Sequence, residues 1–315
     1  TPMLNRRQRQ MCIRDSNKAG IRACVGLIVI DMPTVWASNA DEYIEKGIAV
    51  HDSFRNNDLV ITGFAPHAPY TVADSALEKV RSFAHEMDIP ITMHVHETQH
   101  EVDEAVTRTG TRPLQRLYDL GLVSPALLAV HMTQLQAQER DMLAAGGSHV
   151  VHCPESNLKL ASGFCPVAEL IDAGINVALG TDGAASNNDL DMLGEMRSAA
   201  LLAKGVAADP TSLPASTALR MATINGARAL GIEHKAGSLE AGKYADIVAI
   251  NMDSVETTPL YDPVSHIVYS CSREQVSDVW VAGKHVLKNR VLTSMDEQAI
   301  RRQAREWSRK IGSED

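Results

Sequence analysis

Three short apolar runs in this chain each end on a residue that can do chemistry. Ile91-Thr-Met-His-Val-His-Glu97 carries a His-x-x-Glu spacing, Leu128-Ala-Val-His131 ends on a lone histidine, and Leu179-Gly-Thr-Asp182 ends on an aspartate. Neutral imidazoles and carboxylates are the nitrogen and oxygen ligands of zinc, and a carboxyl beside them can carry a proton between water and substrate. The set reads as half of a metal site, with His94 as its natural ligand and Glu97 as a proton shuttle. Each residue has a plainer alternative: a hydrogen-bonded core histidine for His94, a solvated helix-start glutamate for Glu97, and a helix N-cap for Asp182. His96 alternates to the opposite strand face from His94 and reads as structural. His152, Asn157 and Lys159 lie in a loop that could serve structure or binding equally, and Cys153 has no His or Asn partner that would make it a nucleophile.

The elements that position these residues can be read from the apolar pattern. Six strand-like runs, Ile21 to Ile30, Asp58 to Pro66, Ile89 to Val95, Leu127 to His131, His149 to His152 and Asn176 to Gly180, are rich in Val, Ile and Leu, as strands covered on both faces should be. Amphipathic helices separate them: Ala76 to Met87 places apolar residues three and four apart, the segment around Leu114 to Leu120 repeats the pattern, and residues 216–230 are expected to form one helix ended by Gly231. His67, His94 with Glu97, His131, His152 and Asp182 fall at the C-terminal ends of five different runs. Convergence from five strand ends favours a (β/α)8-type barrel over an open sheet, which would gather its site at one switch point. After residue 235 the texture changes to short turn-bounded strands, Gly237 to Ile250 and Val276 to Val286, and a charged helix, Asp296 to Lys310, follows.

Composition bounds the function. The chain has 315 residues, 44% of them apolar, and a formal net charge of −9, enough for a large core and wrong in sign for a general affinity for nucleic acid or anionic membrane. Five cysteines, Cys12, Cys24, Cys153, Cys165 and Cys271, are odd in number and show no Cys-x-x-Cys spacing; reduced thiols and a cytoplasmic location are expected. No apolar run approaches the ~20 residues of a membrane span. Residues 1–18, basic at Arg6, Arg7, Arg9 and Arg14, have neither helix periodicity nor strand alternation, and are expected to be a non-native or disordered tail.

Six segments in order carry a resemblance: Ala65-Pro-His-Ala-Pro-Tyr-Thr71, His94-Val-His-Glu-Thr98, Ala129-Val-His131, Val151-His-Cys-Pro-Glu-Ser-Asn157, Gly180-Thr-Asp-Gly-Ala-Ala-Ser-Asn-Asn188 and Ser238-Leu-Glu-Ala-Gly-Lys-Tyr-Ala-Asp246. Over about residues 20 to 295 the chain resembles the amidohydrolase superfamily, in the chlorohydrolase-like branch and nearest to its 5-methylthioadenosine/S-adenosylhomocysteine deaminases. The resemblance implies an α/β fold: a partial (β/α)8 metallo-dependent hydrolase barrel, strands three to eight, over residues 19–235, with a β-sandwich remnant and C-terminal helix over 236–315. It implies one Zn2+ per subunit in the intact parent, with His94 and Asp182 as metal ligands, Glu97, His131 and Asp182 as catalytic residues, and His67, Glu97 and Ser186 as substrate contacts. Asp182 would both bind metal and accept the proton of the attacking water, and His131 would orient that water, although the corresponding His elsewhere in the superfamily is often itself a ligand.

The activity implied is hydrolytic deamination of adenosine derivatives to inosine derivatives and ammonia. The segment Ile28 to Ala37 resembles a loop of the enzymes acting on methylthioadenosine and S-adenosylhomocysteine; guanine and triazine hydrolases share the scaffold and are the alternative, as is a non-catalytic fragment. The partner expected is a small nucleoside, with neither nucleic acid nor membrane, and self-association into a homo-oligomer is left open. The family's first two strands, the first bearing a His-x-His ligand pair, are expected upstream, so the chain as given is expected to be catalytically impaired.

Overall fold

A computed structural model describes residues 15–312. Six strands, β1 (Ala23–Val29), β2 (Val60–Pro66), β3 (Ile91–Val95), β4 (Leu127–His131), β5 (His149–His152) and β6 (Asn176–Leu179), form one sheet in sequence order, with β1 and β6 at its edges. Every neighbouring pair is parallel. Parallel neighbours require a crossover, and helices supply it, so all six C-terminal strand ends face the same way. Each strand lies within two residues of its expected bounds, because runs of Val, Ile and Leu buried between sheet and helices cannot shift register without losing that burial.

The core is continuous under the helices. Phe64, Leu77, Leu114, Leu117, Leu127 and Leu143 are fully buried in one cluster. Gly63 has a local reason to be glycine: a Cβ there would come within 2.8 Å of the Pro90 carbonyl oxygen, where β2 passes the start of β3.

Two expectations are corrected. The single helix over residues 216–230 is two helices, Ala215–Met221 and Ile224–Ala229. The break is at Thr223, whose backbone leaves the helical region at φ −131°, ψ −98° and whose hydroxyl bonds back to the Leu219 carbonyl at 2.7 Å, the local competition through which threonine disrupts helices. Most of the tail expected over residues 1–18 lies outside the described residues, but residues 15–19 are helical, and the Gly20 amide donates to the Ser16 carbonyl at 3.0 Å.

Four more strands, β7 (Ile247–Ile250), β8 (Val276–Val281), β9 (Lys284–Lys288) and β10 (Val291–Leu292), make a second, antiparallel sheet in the order β10-β9-β8-β7. The turn between β8 and β9 uses Ala282 and Gly283, both with positive φ, the geometry that two-residue hairpin loops require. Arg22, just before β1, joins the two sheets. Its guanidinium donates to Asp246 Oδ2 at 2.6 Å and Oδ1 at 3.1 Å while stacking 4.6 Å from the Tyr244 ring centroid. The final helix, Glu297–Gly312, has no buried residue. Among the described residues no helix is long and apolar enough to cross a membrane, and the four described cysteines are unpaired.

Replacing Asp246 by Ala removes a bidentate, partly buried pair and the acceptor of the Ala282 amide. Hydrogen bonds to charged groups contribute ~1.5–3 kcal/mol, and solvent screening at this partly exposed position reduces that, so urea unfolding should show a loss of about 1–2 kcal/mol.

Candidate active site

The C-terminal ends of β2, β3, β4 and β6 bring four ring and carboxylate groups together. The ligand atoms of His94, His131 and Asp182 all lie within 4.8 Å of one another. The rings of His67 and His94 meet edge to face at 5.9 Å between centroids, and those of His94 and His131 are 5.3 Å apart. Glu97 completes the group: its Oε2 is 3.7 Å from His131 Nε2, and its Oε1 is 3.5 Å from the Ser162 hydroxyl.

The chain must turn sharply to expose these side chains. His131 (φ +76°) and Asp182 (φ +60°) both adopt the left-handed conformation just as their strands end. That conformation is uncommon for residues other than glycine, and its concentration at strand ends marks a site held by its surroundings. Part of the holding is visible across β3 and β4. The Met132 and Thr133 amides donate to the Val95 and His96 carbonyls at 3.2 and 3.0 Å, and the Thr133 hydroxyl donates to the Glu97 carbonyl at 2.7 Å.

The electrostatics suit a divalent cation. Burial, reinforced by the neighbouring His131, lowers the pKa of His94 and keeps its imidazole neutral. Burial alone would raise that of Asp182, but hydrogen bonds from the Ser186 and Ser156 hydroxyls outweigh it, and the net shift is downward. Both hydroxyls donate to Asp182 Oδ2, at 2.6 and 2.7 Å respectively. A neutral imidazole beside a stabilised carboxylate is a donor set that zinc accepts. Asp182 is not a helix cap; Gly183 occupies the N-cap of the short helix Ala184–Asn187.

His131 is oriented from behind. Its Nδ1 lies 2.9 Å from Asn157 Oδ1, a contact that holds the ring with its Nε2 toward Glu97. Asn157 therefore belongs to the site as the residue that orients the His131 ring. His152 is fully buried, its Nδ1 has no partner, and burial followed by the proximity of His131 pushes its pKa down to about 3. Lys159 bonds to the Ala185 carbonyl at 2.9 Å and to Asn188, tying neighbouring loops together at the surface.

His96 points away from His94, as alternation requires. Its Nε2 accepts from the Leu114 amide at 3.2 Å, and its Nδ1 faces Glu139 at 3.7 Å. Glu139 in turn takes Arg112 Nε at 2.8 Å and Nη2 at 2.9 Å. Buried His96 and Glu139, with the partly exposed Arg112, brace the back of the β3 end. Glu101 accepts the Glu97 amide at 2.9 Å; the Thr98-x-x-Glu101 capping spacing would have revealed it. Ser156, Thr133 and Ser162 carry no such signal, since their partners are distant in sequence.

The amidohydrolase family profile matches residues 5–286. The chain belongs to that family. It is 48% identical over 297 residues to a 5-methylthioadenosine/S-adenosylhomocysteine deaminase of Teredinibacter turnerae, covering 94% of this chain and 67% of that protein. A protein of the same name from Saccharophagus degradans is 48% identical over 294 residues, covering 93% and 66%. This chain thus spans about two thirds of the length of these relatives. Among solved structures, a zinc-bound adenosine deaminase from Xanthomonas campestris superposes with a TM-score of 0.95 at 50% identity, covering 97% of this chain and 70% of that one. A zinc complex of atrazine chlorohydrolase from Arthrobacter aurescens shares the fold, with a TM-score of 0.88 at 24% identity.

Two consequences can be measured. Glu139→Ala would remove the bidentate partner of the partly exposed Arg112 and the acceptor of the Gln136 amide, and should cost about 1.5–3 kcal/mol in denaturant unfolding. The unfolded His152 binds a proton below about pH 6.5, whereas the folded imidazole stays neutral to about 3. The unfolded state therefore gains protons first, and stability falls as pH drops through that window. Between pH 6 and 4, the metal-free protein should lose stability more steeply than its His152→Asn variant, by up to ~1.4 kcal/mol per pH unit; equal slopes would show that His152 is protonated in the fold.

Proposed function

We propose that this chain carries the catalytic centre of a zinc-dependent deaminase that hydrolyses adenosine derivatives, with 5-methylthioadenosine and S-adenosylhomocysteine as the substrates. The observation that carries the reading is the convergence of His94, His131 and Asp182, within 4.8 Å, beside Glu97. The names of the two relatives at 48% identity support the substrate class, and the zinc-bound structure at 50% identity supports the metal. The six-stranded sheet belongs, in this proposal, to a barrel over residues 19–235, strands three to eight, and the antiparallel sheet to a sandwich remnant over 236–315.

His94 and Asp182 would hold the zinc. When bound, zinc lowers the pKa of a coordinated water toward ~7 and so provides a nucleophile at neutral pH. Glu97 would move a proton to the purine ring nitrogen, which makes C6 electrophilic, and His131, held by Asn157 with its Nε2 toward Glu97, would orient the attacking water. Asp182 would accept a second proton and deliver it to the exocyclic amine, which leaves as ammonia when the C6–N bond breaks and the C6 carbonyl forms. His67 and Ser186 contact the nucleoside, Ser186 from a hydroxyl that also anchors Asp182.

A second reading concerns the 315-residue chain tested by itself. Two ligands, His94 and Asp182, are fewer than the three protein ligands usual in catalytic zinc sites, and β1 and β6 are unpaired edges among the described residues. Edge strands invite association. On this reading the chain holds zinc weakly, deaminates slowly and self-associates. Zinc content and ammonia release from methylthioadenosine separate the two readings: one tightly held zinc with turnover sinks the impaired-fragment reading. In whichever protein context turns over, Glu97→Gln should reduce kcat by about 10²–10⁴ with zinc content unchanged; a variant with normal kcat would remove Glu97 from the mechanism.

A further inference from the structure

Behind Asp182 lies a carboxyl that the mechanism does not use. Glu195, in the first turn of the helix Met192–Ala207, has no solvent exposure. It reaches two segments at once. Its Oε2 accepts the Glu155 amide at 3.2 Å, at the start of the helix Pro154–Lys159 that follows β5, and its Oε1 accepts the Asn187 side-chain amide at 2.7 Å, in the short helix Ala184–Asn187 that follows β6. The residues next to these contacts are Ser156 and Ser186, the two hydroxyls that donate to Asp182 Oδ2.

We propose that Glu195 is a positioning residue for Asp182: by joining the β5 and β6 segments through one buried carboxyl, it fixes the two serine hydroxyls that aim the metal-binding carboxylate. A buried carboxyl is retained only where its oxygens are matched by donors, and both matches here lead to Asp182. The same helix grips the β5 segment a second time, since the Ser198 hydroxyl donates to Glu155 Oε1 at 2.9 Å. A Cβ on Gly194 would come within 3.0 Å of that oxygen, so a larger residue beside Glu195 would press on the Glu155 side chain. Without the carboxyl, Lys159 and the Ser156 bond to Asp182 would still tie the two segments, but the link behind the two serines that fixes their spacing would be lost. The role rests on the reading of Asp182 as a metal ligand.

The test uses the full chain and two variants that break the same link from opposite sides. Glu195→Gln presents an amide N–H where an acceptor is needed; Asn187→Ala removes the donor at a half-buried position and preserves the fold if the buried substitution does not. Hydrogen exchange should quicken about tenfold in segments 154–160 and 184–190, the loss of one hydrogen bond of ordinary strength, with β1 to β4 unchanged. Zinc affinity, measured by chelator competition, should weaken about 10- to 100-fold, as when an outer-shell partner of a ligand is removed. The visible spectrum of the cobalt-loaded protein should change in both variants, and the double variant should be no worse than Glu195→Gln alone. Unchanged zinc affinity and cobalt spectrum, or exchange that rises uniformly across the protein, would overturn the positioning role. If Asp182→Ala leaves the zinc affinity of the chain unchanged, the ligand reading of Asp182 fails and the proposal falls with it; if Asp182→Ala weakens zinc binding while both Glu195→Gln and Asn187→Ala match the unmodified chain, only the role of Glu195 fails.

Discussion

The site depends first on the parallel ladder. Because β1 to β6 pair in sequence order and in one direction, their C-terminal ends lie along a single edge, and residues as far apart in the chain as His94 and Asp182 become neighbours. An antiparallel sheet would have sent every second group to the opposite edge. The apolar runs that make the ladder are therefore part of the chemistry. Their burial holds the register, and the register sets the depth at which each histidine emerges.

The edge does not by itself aim the side chains. His94 leaves a regular strand, but His131 and Asp182 sit on left-handed residues, a conformation that costs free energy unless the surroundings enforce it. Cross-strand amides pin the β3 and β4 ends, Asn157 sets the His131 ring, and two hydroxyls from different segments hold one oxygen of Asp182. Behind β3 the Arg112, Glu139 and His96 trio does the same for Glu97's strand end, the buried Glu139 carboxylate being paired with Arg112 beside the His96 ring. These arrangements leave a neutral imidazole next to a stabilised carboxylate, the pairing that suits a dipositive ion better than either protonated histidine or protonated acid would.

Much of this was legible in the chain. Continuous runs rich in Val, Ile and Leu located all six strands, and the positions of His67, His94, Glu97, His131 and Asp182 at their ends pointed to one face. Alternation alone placed His96 opposite His94. The errors lay where local pattern and long-range contact disagree: apolar spacing continues through residues 216–230, yet Thr223 breaks the helix with a hydroxyl bond to its own backbone. Asn157 looked as much like a loop residue as a functional one, because its partner His131 is 26 residues away.

What the sequence determined by itself was the inventory and its order: six buried strands, the ligand and proton-transfer residue types at their ends, and the motifs that mark an amidohydrolase. Only the tertiary structure decided which of these groups meet, that Ser186 and Ser156 both spend their protons on Asp182, and that a fully buried Glu195 stands behind them. Spacing reports local geometry, a few residues at a time. The orientation of a ligand is set by hydrogen bonds from segments tens of residues away, and these exist only once the ladder has closed the distance.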